Sequence, residues 1–154
     1  MWRVNEWWMT RPWKTCRWSW MKEGSNMHCV DSDMIIDLLN GVEGARDLMM
    51  AMEESGEVCV SAVSVLELTY SAGRLSQKRV AALMDLIDEL VVVPLDRSAA
   101  VFAGRVGSEL VRKGESIDTM DLMIGCTALS RGLTLATRNV KHFGKIPGLR
   151  TVSW

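Results

Sequence analysis

This 154-residue chain has little histidine and no closely paired cysteines, which argues against the usual zinc sites. Its two histidines, His28 and His142, lie far apart in the sequence, and none of its cysteines belongs to a CxxC pair. Unpaired thiols in mainly apolar runs behave as small hydrophobic side chains, and they indicate a reduced, cytoplasmic protein. The four cysteines are Cys16, Cys29, Cys59 and Cys126.

Long apolar runs and nucleotide-binding glycine motifs are also missing. No run approaches the roughly 18 apolar residues of a transmembrane helix, so no membrane span is predicted. The chain has neither GxxxxGK[ST] nor GxGxxG, which excludes P-loop and dinucleotide-binding folds. A net charge of −1 with 24% charged residues gives no sign of disorder or of a tail that coats nucleic acid. With 48% hydrophobic residues, the length suits one domain with a substantial core.

The first 26 residues differ from the rest. They hold six of the seven tryptophans and a net charge of +3, which leaves −4 for residues 27–154. Such a Trp/Lys/Arg-rich segment could lie on a membrane surface or stack on nucleic acid. Its tryptophans follow no helical period, however. We therefore interpret residues 1–26 as a disordered extension or a start-site artefact, and residues 27–154 as the folded domain.

Short apolar strands alternate with helical segments through the folded domain. This order predicts an α/β fold with a short parallel sheet, right-handed crossovers and helices on both faces, a three-layer α/β/α domain. Ligands of such sheets bind beyond the carboxyl ends of the strands. The predicted strands cover residues 28–30, 57–60, 91–93, 133–136 and 151–152.

Polar side chains mark several predicted strand ends. In HCVDSDMIIDLL, residues 28–39, Asp31 directly follows the first strand. Glu67 lies in the helix after the second strand, Asp121 begins the helix before the LTLA strand, and Asn139 follows that strand. If the strands are parallel and adjacent, these groups come together at one edge of the sheet.

Helix capping is a structural alternative for each acid. Ser64-x-x-Glu67 and Asp118-x-x-Asp121 have the spacing of a capping box, and Asp31 can cap the helix that follows it. Acids in a first helical turn are also favoured by the helix dipole. Capping therefore explains each position taken singly.

Burial favours a metal site for the acids as a set. Apolar residues surround Glu67 and Asp121, which predicts an interior position for both, and an ionised buried carboxylate needs a cation. No Lys or Arg is near Asp31, Glu67 or Asp121 in the sequence. Carboxylates without histidine suit Mg²⁺ or Mn²⁺, which could activate water for phosphodiester hydrolysis.

Three blocks of this chain resemble the PIN-domain ribonucleases, specifically the VapC-type toxins of toxin–antitoxin pairs. They occur in the family's order and span nearly all of residues 27–154. CVDSDMIIDLL resembles the opening block, and VSAVSVLELTYSAGR resembles the serine-rich block that carries a glutamate. IDTMDLMIGCTALSRGLTLATRNVKHFGKIPGL is similar to the closing block almost throughout.

The resemblance implies a PIN fold and a Mg²⁺- or Mn²⁺-dependent endoribonuclease that cleaves structured RNA of the tRNA or rRNA class. It also implies a homodimer that a cognate antitoxin neutralises. Asn139 stands where many members have a fourth acid. The implied metal ligands are Asp31, Glu67 and Asp121, the implied catalytic set adds Asn139, and the supporting residues are Ser32, Asp33 and Thr137. Asp118 is interpreted as a helix cap.

Two other functions remain open from the sequence. Asp31 and Asp33 could form the Asp-x-Asp motif of a haloacid-dehalogenase-like phosphatase, with Asp31 as the nucleophile. A degenerate PIN module could instead bind RNA or a partner without cleaving. For any RNA-binding role, basic side chains would have to form a rim around the acids. The candidates for this rim are Arg74, Lys78, Arg79, Lys113, Arg138 and Lys141.

Overall fold

Alternating strands and helices build a three-layer α/β/α domain from residues 27–154, the part of the chain that the computed structural model describes. Our interpretation of residues 1–26 lies outside the described residues. All strand pairs in the five-stranded sheet are parallel, in the order β3-β2-β1-β4-β5, which confirms the predicted fold class. The strands are β1 (Met27–Val30), β2 (Glu57–Ser61), β3 (Val91–Val93), β4 (Thr134–Ala136) and β5 (Arg150–Val152).

The strands are buried on both faces because their apolar side chains alternate between two cores. Cys29 pairs in register with Cys59 and Leu135, and all three belong to one hydrophobic cluster. The next residue, Val30, pairs with Val60 and Ala136, and these belong to the other cluster. The sheet therefore separates two cores.

The helices cover the two faces of the sheet. α1, α2 and α4 supply residues to the cluster around Val30, whereas α5, α6 and α7 supply residues to the cluster around Cys29. No helix in residues 27–154 combines the length and the apolar character needed to cross a bilayer. The helices are α1 (Ser32–Leu39), α2 (Glu43–Ser55), α3 (Ala62–Ser71), α4 (Gln77–Asp88), α5 (Arg97–Arg112), α6 (Thr119–Leu129) and α7 (Val140–Phe143).

The start of α3 differs from the prediction. The N-cap is Ser61, whose Oγ accepts the Ser64 N–H at 2.9 Å, so the capping box predicted from Ser64 to Glu67 is wrong. The reason is that β2 extends to Ser61 and turns directly into the helix. Glu67 therefore lies beyond the first turn of α3, and its carboxylate has no capping role there.

Candidate active site

The predicted site residues lie at the carboxyl ends of the three central strands, β2, β1 and β4. Asp31 follows β1 directly and is the N-cap of α1. Its backbone N–H donates to the carbonyl of Ala136 at 3.0 Å, so the ends of β1 and β4 meet at this point. Thr137 follows β4, while α3, which carries Glu67, begins at the end of β2. The parallel sheet thus brings together residues that are distant in sequence.

Asp31 is the most deeply buried acid of this group, with 5% of its surface exposed. Oδ1 accepts the Ser32 N–H at 2.7 Å, and Oδ2 accepts the Thr137 hydroxyl at 3.0 Å. Burial raises the pKa of Asp31 to about 7, and the negative charges of Asp33 and Glu67 add to the rise against these two hydrogen bonds. A nearby cation would therefore stabilise the ionised form of Asp31.

Asp33 lies beside Asp31 and binds the segment that follows β4. Its Oδ2 accepts the backbone N–H of Arg138 at 2.7 Å and the Thr137 hydroxyl at 3.3 Å. Its Oδ1 is buried and has no hydrogen-bond partner among residues 27–154. Burial raises the pKa of Asp33, whereas the hydrogen bond from Arg138 lowers it. Oδ2 thus holds the loop after β4, whereas Oδ1 is buried without a hydrogen bond.

Glu67 is half-buried and faces the same negative charges. Burial raises its pKa most, and Asp121, Asp118 and Asp33 raise it further through repulsion. A hydrogen bond from the side chain of Ser32 opposes this rise. Three acids at the starts of α1 and α6 therefore influence this carboxylate, and Ser32 supports Glu67 from the start of α1.

Asp121 joins this region through the loop that follows β4. Its Oδ2 accepts a hydrogen bond from Nδ2 of Asn139 at 3.2 Å, and Nδ1 of His142 lies 3.4 Å from the same oxygen. The backbone N–H of Asn139 donates to the Thr137 hydroxyl oxygen at 3.0 Å. Asp118 accepts the Met120 N–H at 2.8 Å as the N-cap of α6, so its interpretation as a cap is confirmed.

Burial of the acids is less uniform than the sequence predicted. Asp31 is buried, but Glu67 and Asp121 are only partly so. The apolar neighbours of Glu67 were misleading because Leu66 and Tyr70 are exposed, at 56% and 89%. Asp31 is therefore the most fully desolvated of the four acids, whereas Asp33, Glu67 and Asp121 are partly exposed.

The donor set fits a hard divalent cation bound partly through water. Within residues 27–154, no three His, Cys, Asp or Glu side chains are arranged to hold one ion directly. Mg²⁺, however, commonly uses one or two carboxylates and keeps several waters. The unpartnered Oδ1 of Asp33 and the raised pKa of Asp31 are what an all-oxygen cation site requires. The donors at this site are thus oxygen atoms of the kind that Mg²⁺ prefers.

Sequence reasoning missed several residues that contact this site. His142 lies beside Asp121, and its helix α7 was not predicted because four residues are too short to show a period. Asp37, on α1, forms an ion pair with Arg138 at 3.2 Å and accepts a hydrogen bond from Trp154. The sequence gives no signal for these contacts, since they join distant segments.

The sequence of this chain matches a known protein family and several characterised relatives. The model of the PIN domain family matches residues 28–149. The tRNA(fMet)-specific endonuclease VapC of Shigella flexneri is 34% identical over 101 residues, which cover 64% of this chain and 76% of that protein.

Solved structures share the fold. The DNA-bound VapBC of Salmonella typhimurium superposes with a TM-score of 0.74 at 30% identity, covering 84% of this chain and 98% of that one. VapBC2 from Rickettsia felis, bound to a promoter DNA fragment, gives a TM-score of 0.77 at 21% identity, covering 83% and 98%. The second likeness is one of fold alone.

Proposed function

We propose that this chain, which belongs to the PIN domain family, is a VapC-type ribonuclease toxin that uses Mg²⁺ or Mn²⁺ to cleave RNA. One structural observation supports the metal dependence. Asp31, Asp33, Glu67 and Asp121 lie near one another at the carboxyl ends of the central strands. Burial raises the pKa of Asp31, Asp33 and Glu67, and repulsion from neighbouring carboxylates adds to the rise for Asp31 and Glu67. Such a cluster is costly without a cation, and a cation there would face the phosphodiester of a bound RNA.

The acids would hold the metal while their neighbours orient them. Asp31, Glu67 and Asp121 would be the ligands, in part through bound water, with Asp33 as an additional oxygen donor through Oδ1. When bound, the ion supplies an activated water and offsets the charge that develops on the phosphate. The Thr137 hydroxyl fixes Oδ2 of Asp31, and the Asn139 amide fixes Oδ2 of Asp121. Loss of the Asp31 proton on metal binding would make this carboxylate a stronger ligand.

The substrate and partners follow from the relatives by analogy. The Shigella flexneri relative is named a tRNA(fMet)-specific endonuclease, which supports structured RNA of the tRNA class, with rRNA as the alternative. The similar Salmonella typhimurium structure is a VapBC complex, which supports a cognate antitoxin as partner. We also propose a homodimer. The buried free thiols of Cys29, Cys59 and Cys126 suit the reducing cytoplasm.

The phosphatase alternative has less support. A phosphatase of this kind would use Asp31 as the nucleophile and Asp33 as the acid. It gives no role to Glu67, whose carboxylate shares the negative charges of Asp121, Asp118 and Asp33. The family match also favours the nuclease.

The decisive experiment is cleavage of purified tRNA and rRNA by the full chain in Mg²⁺, in Mn²⁺ and in EDTA. Asp31→Asn and Asp121→Asn should each lower the rate about 100-fold or more, because each removes a charge that holds the ion. Asp85→Asn is the matched control, since Asp85 is exposed on α4. It should cleave at the wild-type rate.

Three other results would change the assignment. Cleavage that persists in EDTA would contradict the metal mechanism. Hydrolysis of a phosphate monoester that depends on Asp31 and Asp33, without RNA cleavage, would favour the phosphatase. RNA binding without cleavage of any RNA would favour the degenerate module.

A further inference from the structure

Asp37 is a buried acid one helical turn beyond Asp33, and the mechanism does not use it. Only 4% of its surface is exposed. Its Oδ2 accepts the indole N–H of Trp154 at 3.0 Å and pairs with Nε of Arg138 at 3.2 Å. A buried carboxylate needs such donors, and here both come from beyond β4.

Arg138 connects this buried acid to the candidate active site. Its backbone N–H donates to Oδ2 of Asp33 at 2.7 Å, while its side chain reaches Asp37. Asp33 and Asp37 are four residues apart on α1 and therefore share one face of the helix. Arg138 is thus attached to α1 at two points, one through its backbone and one through its side chain.

Trp154 holds the side chain of Arg138 in this position. The guanidinium carbon lies 5.9 Å from the centroid of the indole ring, within the range of a cation–π contact. The indole also packs against the core cluster to which α1 and α2 contribute. It lies close to Gly44 on α2, where a methyl group in place of the glycine hydrogen would be 3.6 Å from Cδ1 of the ring. The ring is therefore fixed against the domain. Its N–H donates a hydrogen bond to Asp37, and its face contacts the guanidinium of Arg138.

The segment that Arg138 belongs to carries two groups that orient the acids. Thr137, immediately before it, donates to Asp31, and Asn139, immediately after it, donates to Asp121. A shift of Arg138 would move both neighbours, because a peptide chain transmits displacement over one residue. The contacts of Asp37 therefore bear on the geometry of Asp31, Asp33 and Asp121.

We propose that Asp37, Arg138 and Trp154 form a clamp that positions residues 137–139 against the carboxylate cluster. Its members are positioning residues and touch neither the substrate nor the ion. The clamp depends on the proposed function in one respect, which is that the acids it positions bind a metal. A purely structural role would instead satisfy the buried charge of Asp37 and affect folding alone.

The first test measures hydrogen exchange by NMR in the metal-free full chain. Trp154→Phe keeps the aromatic ring but removes the N–H, and Arg138→Met keeps the aliphatic stem but removes the charge. Each should speed exchange of the residue-138 amide about three- to tenfold, the effect of weakening one charge-assisted hydrogen bond. The Asp31 amide, bonded to the carbonyl of Ala136, should exchange unchanged and serves as the internal reference. An unchanged residue-138 amide in both variants would overturn the clamp, whether or not the protein binds metal.

The second test measures Mn²⁺ binding by calorimetry. Both variants should bind Mn²⁺ about three- to tenfold more weakly, and the double variant should lose less than the product of the two single effects. Leu110→Ala is the control, because Leu110 is buried in α5 within the other core cluster. It should lower Tm without changing Mn²⁺ affinity.

The outcomes separate the clamp from the metal proposal. Variants that lose Tm but keep wild-type Mn²⁺ affinity would reduce the three residues to a structural role and overturn the proposal. A wild-type chain that binds no Mn²⁺ would contradict the proposed cofactor, and the exchange of the residue-138 amide would then decide the clamp alone.

Discussion

Asp31 should destabilise the metal-free protein at neutral pH, so Asp31→Asn should stabilise it. Burial raises the pKa of Asp31 from 3.8 to about 7, which means that the folded protein holds this proton more tightly than the unfolded chain does. The free energy of unfolding therefore falls as pH rises between these two values. The asparagine carries no charge and escapes this penalty.

The size of the effect can be worked out from the same pKa. A rise from 3.8 to about 7 corresponds to about 4 kcal/mol once Asp31 is fully ionised, at about 1.4 kcal/mol for each pKa unit. Asparagine retains an acceptor for the Ser32 N–H, but the Thr137 hydroxyl must turn towards Asp33, 3.3 Å away. That rearrangement costs about 1 kcal/mol. A net gain of about 1–3 kcal/mol is expected at pH 8, or about 4–12 °C in Tm.

The assay is thermal and urea denaturation of both proteins in EDTA from pH 4 to pH 8. The gain should be largest at pH 8 and fall below about 1 kcal/mol near pH 4, where Asp31 is protonated in the folded protein. Excess Mg²⁺ should then raise the Tm of the wild type but not of the variant. Asp85→Asn, on the exposed face of α4, should show no such pH dependence. A variant less stable than wild type at pH 8, or a gain independent of pH, would refute this reasoning.

Substitutions at three further positions test packing and capping around the site, all by urea denaturation. Ser61→Ala should cost about 1–2 kcal/mol because it removes the acceptor for the Ser64 N–H, and an unchanged midpoint would exclude this cap. Asp118→Ala should cost about 1 kcal/mol as the loss of the α6 cap, whereas Asp118→Asn should retain most of it. Gly125→Ala should destabilise by about 1–3 kcal/mol even though alanine favours helices, because its Cβ would lie 2.4 Å from Cδ1 of buried Ile146. A stabilised alanine variant would show that the side chain yields.

The fold could be predicted from the sequence because its strands are short apolar runs separated by helices. Such strands must be buried on both faces, and that requirement alone favours a parallel sheet between two helical layers. The sheet in turn brings the end of β1 beside the end of β4, which is why Asp31 and Thr137 meet, although the strand order itself was not predicted. The grouping of the acids therefore follows from topology, although their role as ligands remains a proposal.

What the sequence could not predict are contacts without a local pattern. Serine at a strand end and serine in a first helical turn look alike, which is why the sequence offers Ser64 as a cap of α3 where the structure uses Ser61. The contact between Asp37 and Trp154 joins positions 117 residues apart and depends on tertiary packing. Neither residue type nor spacing could have identified it.

The amide at position 139 has a clear electrostatic consequence for the site. A carboxylate there would add a further negative charge next to Asp121 and would itself require a cation. Asn139 instead donates from Nδ2 to Oδ2 of Asp121 at 3.2 Å, so it satisfies this acid with a neutral group. The unmet demand for positive charge then stays with Asp31 and with the unpartnered Oδ1 of Asp33. If Mg²⁺ binds as proposed above, this distribution favours a single ion near α1, held by Asp31 with Glu67 and Asp121 as further ligands, over a pair of ions.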